Sequence, residues 1–117
     1  MLGVKVESKL DTVIGSDSEL KGDISVRGSL RVDGRIEGNL SVMDNLFLGK
    51  GSYVHGEVHC KDGIIAGKIE GNVFAQGTIE LQAEGSVIGD IKCKNLVLDR
   101  EAFLDGRVKM SEEPPSV

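Results

Sequence analysis

Gly22-Asp23-Ile24-Ser25-Val26-Arg27-Gly28-Ser29-Leu30-Arg31-Val32-Asp33-Gly34-Arg35-Ile36-Glu37-Gly38 is the stretch that decides the fold. It holds three short alternating segments, Ile24-Ser25-Val26, Leu30-Arg31-Val32 and Arg35-Ile36-Glu37, with Gly28 and Gly34 between them. Alternation with period two turns one or two side chains of each segment inward and their neighbours outward, as in a half-buried strand. Glycine suits the corners because it accepts backbone angles that a Cβ forbids. Three short strands and three corners describe one triangular turn of a solenoid.

The same pattern recurs along the chain. A glycine, a polar residue and an aliphatic one stand at Gly22-Asp23-Ile24, Gly38-Asn39-Leu40, Gly56-Glu57-Val58, Gly71-Asn72-Val73, Gly89-Asp90-Ile91 and Gly106-Arg107-Val108. The glycines are 16, 18, 15, 18 and 17 residues apart, a period near 17. Stacking these periods sorts the apolar residues into columns. Two after the glycine are Ile24, Leu40, Val58, Val73, Ile91 and Val108; four after it are Val26, Val42, Cys60, Ala75, Cys93 and Met110. Two before it are Leu20, Ile36, Val54, Ile69, Val87 and Leu104. The second strand adds Leu30, Leu46, Ile64, Ile79 and Leu96, then Val32, Leu48, Ala66, Leu81 and Leu98. The spacing predicts an all-β solenoid of about six turns over residues 12–110, whose stability is a sum of turn-on-turn stacking terms. Residues 1–11 fall outside the pattern and read as a flexible tail; the polar and Pro-containing segment 111–117 reads as a disordered one.

Composition agrees. Sixteen glycines, no tryptophan and 3% aromatics leave a core of Val, Ile and Leu, residues that suit a pleated strand. A formal charge of −5 argues against a general nucleic-acid binder. No stretch approaches the roughly 20 apolar residues of a membrane span, and the expected location is the cytoplasm.

These residues resemble the bactofilin family. The entry Thr12-Val13-Ile14-Gly15, then Leu20-Lys21-Gly22-Asp23-Ile24 and Gly28 to Gly38, is close to that family's opening pattern. Ile65-Ala66-Gly67-Lys68-Ile69-Glu70-Gly71-Asn72-Val73 is similar to its central pattern, and Gly89-Asp90-Ile91 and Phe103-Leu104-Asp105-Gly106-Arg107-Val108 to its closing turns. The resemblance implies a right-handed parallel β-helix that polymerises without nucleotide into non-polar filaments. It also implies an N-terminal tail used for membrane contact and a cytoskeletal role in cell shape and in scaffolding envelope proteins, at the inner face of the cell membrane. The family tends to carry a phenylalanine in the column two before the last glycine. Here Leu104 holds that place, and Phe103 beside it falls at an outward position.

A solenoid without caps exposes a cross-section of core and unpaired strand edges at both ends, and such edges recruit their like. The expected polymer interface is Ile14, Leu20 and Ile24 at one end and Phe103, Leu104, Val108 and Met110 at the other. Head-to-tail and like-to-like junctions both satisfy the residues. The middle of the second strand reads Val13, Arg31, Phe47, Ile65, Glu80 and Val97, which makes Phe47, Ile65 and Val97 a candidate lateral contact. Met1, Leu2 and Val4, next to Lys5 and Lys9, are the candidate membrane contact.

Catalytic and cofactor chemistry finds little support. His55 and His59 flank a corner and lack a third ligand for zinc. Cys60 and Cys93 share a column two turns apart, beyond disulfide reach, and read as core. Gly49-Lys50-Gly51-Ser52 lacks the glycine a phosphate loop needs at position 44. No catalytic, cofactor or metal residues are assigned, and the expected role is structural. The main rival is an enzyme on the left-handed hexapeptide-repeat solenoid, suggested by Ile14-Gly15, Leu48-Gly49 and Ile88-Gly89. That repeat keeps a steady period of 18, which this chain does not. An ice-binding solenoid needs a threonine ladder, and only Thr12 and Thr78 are present.

Overall fold

The computed structural model describes residues 3–6 and 12–110. A first strand, β1 (Gly3–Val6), precedes six turns of three strands each. The first turn is β2 (Thr12–Ile14), β3 (Glu19–Lys21) and β4 (Asp23–Val26), and the second is β5 (Leu30–Val32), β6 (Arg35–Glu37) and β7 (Leu40–Val42). The third is β8 (Asn45–Leu48), β9 (Tyr53–His55) and β10 (Val58–Cys60), and the fourth is β11 (Asp62–Ile65), β12 (Lys68–Glu70) and β13 (Val73–Ala75). The fifth is β14 (Thr78–Leu81), β15 (Ser86–Ile88) and β16 (Ile91–Cys93), and the last is β17 (Asn95–Leu98), β18 (Phe103–Asp105) and β19 (Val108–Met110). Every third strand pairs in parallel with the next, giving sheet A (β1, β4, β7, β10, β13, β16, β19) and two six-stranded sheets, B from β2 to β17 and C from β3 to β18. The protein is a parallel β-helix.

Five inward columns fill the triangle. Sheets A and B give two each and sheet C one, because only the middle residue of a sheet C strand faces in. In the interior turns Leu40, Leu48, Val54, Val58, Ile69, Val73 and Val87 are wholly buried. Each such side chain is worth roughly 1.5–3 kcal/mol on removal from water, so each turn is held chiefly by the apolar layers above and below it.

The corner from sheet C to sheet A is the invariant one. Three residues separate the core positions there in every turn, as in Lys21-Gly22-Asp23 or Glu70-Gly71-Asn72. Its glycine has φ between 115° and 152° at Gly22, Gly38, Gly56, Gly71, Gly89 and Gly106, a region in which a Cβ is strained. The glycines also stack. A Cβ on Gly71 would overlap the carbonyl oxygen of Gly56, and one on Gly89 that of Gly71. The next residue forms a second ladder: Asn39, Glu57, Asp90 and Arg107 donate their backbone N–H to the side chains of Asp23, Asn39, Asn72 and Asp90 one turn below, at 3.1–3.3 Å. The repeated Gly-polar-aliphatic motif is thus a backbone requirement, a side-chain acceptor and a core residue in succession.

The other two corners vary and account for the wandering period. Between sheets A and B the core positions are three residues apart at Arg27–Ser29, Met43–Asn45 and Gln76–Thr78, but two at Lys61–Asp62 and Lys94–Asn95. Between B and C there are five at Gly15–Glu19, Gly49–Tyr53, Gln82–Ser86 and Asp99–Phe103, and three at Asp33–Arg35 and Ala66–Lys68. The five-residue corners close alike, with Ser18, Ser52, Gly85 and Ala102 donating to the carbonyls of Gly15, Gly49, Gln82 and Asp99 at 2.8–3.1 Å. Ser52, the one buried polar residue among those described, also donates its hydroxyl to the Gly49 carbonyl at 2.6 Å.

The short corner Lys61–Asp62 corrects two assignments on sheet B. Gly63, not Ile64, pairs with Leu46, so Ile64 pairs with Phe47 and Ile65 with Leu48. Ile65 is fully buried, Ile64 points outward, and Ala66 belongs to the next corner. The column tolerates Gly63 because the Ile79 Cδ1 and Cys60 Sγ lie beside its missing Cβ, at 2.9 and 3.3 Å. Ile65→Ala should therefore cost about 2–5 kcal/mol, whereas Ile64→Ala should cost less than about 1 kcal/mol. Urea denaturation of the two variants checks the register; equal losses would contradict it.

Candidate self-assembly faces

Every inward column stays apolar to the end of the rod, and at the C-terminal end nothing among the described residues lies on top of it. Sheet A ends in Val108 and Met110, 37% and 45% exposed, while Ile91 and Cys93 directly below them are buried. Sheet B ends in Leu96, half-buried, and Leu98, 48% exposed, stacked on fully buried Ile79 and Leu81. Sheet C ends in Leu104, half-buried on Val87. Leu96 and Leu98 join the expected set from the same columns. Phe103 pairs with Ser86 on the outer side of sheet C and is 54% exposed. Leu104 therefore holds the core place, and Phe103 forms the rim of the face. Among the described residues, strands β17, β18 and β19 have no neighbour on their outer edge, and each sheet ends there.

The N-terminal end is different. Ile14 and Leu20 are half-buried and close their columns. Ile24, expected on this face, is only 3% exposed, because β1 pairs with β4 and sets Val4 opposite it. Gly3–Val6, expected within the tail, forms the first strand of sheet A, and the edge on that side is β1.

The sequence model of one family, the bactofilins, described as polymer-forming cytoskeletal, matches residues 12–109. This chain belongs to the bactofilin family. The match reaches into all six turns, from the start of β2 to Lys109 within β19. No curated protein and no solved structure matches it.

The outer faces of this bactofilin differ from one another. Sheet B presents Val13, Arg31, Phe47, Ile64, Glu80 and Val97 in line. Val13 and Val97 are 61% and 51% exposed; the Arg31 guanidinium covers Phe47 at 4.6 Å and pairs with Asp33 at 3.0 Å. The apolar stripe expected here survives with Ile64 in place of Ile65. Sheet C carries oppositely charged residues on either side of Leu20, Ile36 and Ile69, with Arg35 and Lys68 on either side of the Tyr53 ring. His55 lies on sheet C and His59 on sheet A, where it stacks on Phe74. No group of three or more His, Cys, Asp or Glu side chains is placed to hold a metal ion among the described residues.

Cys60 and Cys93 are buried in one column, with Ala75 between them. Burial pushes the Cys60 thiol from 9.0 up to about 12, assisted by the charge of Asp62 and by Cys93; burial also raises Cys93. Such thiols are unreactive at neutral pH. The raised value means the folded state keeps its proton while the unfolded chain ionises. Stability is therefore unaffected below pH 9 and falls as pH rises from about 9 to about 12. Denaturation across that range should show this loss in the native chain and a smaller one in Cys60→Ala. Parallel curves would contradict it.

Proposed function

We propose that this bactofilin domain polymerises end to end, without nucleotide, by docking the terminal turns of successive subunits so that the apolar columns and sheets run on across the junction. The observation that carries this is the exposure of Leu98, Val108 and Met110 in columns that are otherwise sealed. Junction residues are Leu96, Leu98, Leu104, Val108 and Met110 with Phe103 at the rim, and Ile14 and Leu20 with the β1 edge at the opposite end. The C-terminal face is the barer of the two, which supports a like-to-like junction there, self-complementary about a two-fold axis, and so the non-polar filament implied by the family resemblance. The role is structural, a scaffold for envelope or cell-shape proteins. Ultracentrifugation of the purified chain in chelator and without nucleotide tests the assembly. Pelleting above a critical concentration is expected, and a concentration-independent monomer would overturn it.

Lateral contact through Phe47, Ile64 and Val97 would bundle such filaments. Contact with the inner membrane surface through the start of the chain completes the reading. Met1 and Leu2 lie outside the described residues, and Val4 belongs to β1. Apolar residues just before β1 would repeat once per subunit, so weak adsorption is multiplied along a filament. Deleting the segment would also remove β1 and uncover Ile24, so the informative variant is Leu2→Glu. Its expected effect is a loss of co-sedimentation with anionic vesicles while filaments persist; unchanged co-sedimentation would remove the membrane role from this segment.

A further inference from the structure

Cations are paired unevenly over the surface. On sheets B and C and their corners, Lys21, Arg31, Arg35, Lys50 and Lys68 each have a carboxylate within 4.0 Å, the exceptions among the described residues being Arg100 at the last B–C corner and Arg107 at the last C–A corner. Lys61, Lys92, Lys94 and Lys109, on sheet A and the corner after it, are exposed and form no ion pair among the described residues. Along this corner runs a groove lined by Met43, His59, Lys61, Phe74, Gln76 and Lys92. His59 and Phe74 stack with centroids 4.7 Å apart and make an aromatic wall. The groove thus joins unpaired positive charge to an apolar surface.

Cys93 pairs with Met110, so the chain leaves β19 at the corner where Lys94 follows β16. The residues that follow are Ser111-Glu112-Glu113-Pro114-Pro115-Ser116-Val117. We propose that this segment turns back along the corner and occupies the groove of its own chain. Glu112 and Glu113 face Lys94, Lys92 and Lys61, and Pro114-Pro115 lies on the Phe74–His59 wall. The reach is sufficient: successive turns are about 4.8 Å apart, which puts Lys94, Gln76 and Lys61 roughly 5, 10 and 14 Å from the exit, and seven extended residues span up to about 25 Å. A proline pair favours the extended polyproline conformation that aromatic grooves receive, so little order has to be imposed on binding. The charge pairing is screened by salt. None of this depends on polymerisation.

Carbodiimide coupling, which joins a carboxylate to an amine in direct contact, tests the placement in the full chain at low salt. Chains labelled with nitrogen-15 and unlabelled chains are mixed in denaturant, refolded together, coupled and mapped by peptide mass spectrometry. The expected products join Glu112 or Glu113 to Lys61, Lys92 or Lys94, with both halves carrying the same label, and they drop several-fold in about 0.5 M salt. The Lys50–Glu84 pair, 3.6 Å apart, is the internal control. Recovery of that control without the predicted products, or with Glu112 and Glu113 coupled indiscriminately to Lys21 and Lys68, would overturn the proposal and leave the groove to an external acidic ligand. Mixed-label products would overturn it in favour of a second copy's segment.

Discussion

Leu98→Arg and Val108→Arg, made singly, are expected to leave the β-helix folded and to reduce the protein to monomers or short oligomers. In an isolated subunit both side chains reach water, at 48% and 37% exposure, so the guanidinium is solvated and the turns below keep their packing. In a junction the same group would be pressed against the apolar columns of the next subunit. An uncompensated buried charge costs about 3–5 kcal/mol, roughly a hundred- to several-thousand-fold in association. Sedimentation velocity measures the association and circular dichroism the fold. Phe103→Arg, on the outer side of β18, should weaken assembly much less. If Phe103→Arg abolished assembly and Leu98→Arg did not, the junction would have to involve the flank of the last turn instead of its columns.

Gly71→Ala, like the same change at the other glycines of the ladder, is expected to be strongly destabilising for a single added methyl. Gly71 has φ of 147°, and the added Cβ would overlap the Gly56 carbonyl oxygen, a backbone atom with no freedom to move aside. Backbone strain of this kind costs of order 1–3 kcal/mol by itself, and breaking the stacking of adjacent turns adds to it. A loss of about 3 kcal/mol or more should lower Tm by roughly 10–15 °C. Gly15→Ala is the matched comparison. Nothing lies within 4 Å of a Cβ there and its φ is not positive, so the change should stay within about 0.5 kcal/mol of the native chain. Thermal unfolding of the pair separates a glycine held by stacking from one that merely sits in a turn; similar Tm values for both would contradict the ladder.

Most of the architecture is legible in the sequence because one corner never changes length. Three residues between core positions at each C–A corner put Gly22 through Gly106 in one ladder, and the columns beside them follow. The A–B corner is harder to read. In Gly63-Ile64-Ile65-Ala66 three apolar residues follow a glycine, and alternation cannot say which isoleucine faces in. The answer lies in a corner one residue shorter than its neighbours and in the volume that Ile79 and Cys60 supply beside Gly63. Gly3–Val6 was hidden for another reason. It lies outside the Gly-polar-aliphatic repeat and is separated from β2 by five residues, so only its pairing with β4 shows that Ile24 is covered. Leu96 and Leu98 could be read as column members. Their place on the terminal face follows from β17 being the last strand of sheet B, which the order of the sheets makes plain.

The junction itself can be seen by cryo-electron microscopy of filaments grown without nucleotide. Six turns at about 4.8 Å each set a rise of roughly 29 Å per subunit along the axis. A reconstruction should show the strand spacing continuing across each junction, with Leu98, Val108 and Met110 buried there. Filaments built by side-to-side packing, with those three residues still facing solvent, would contradict end-to-end assembly.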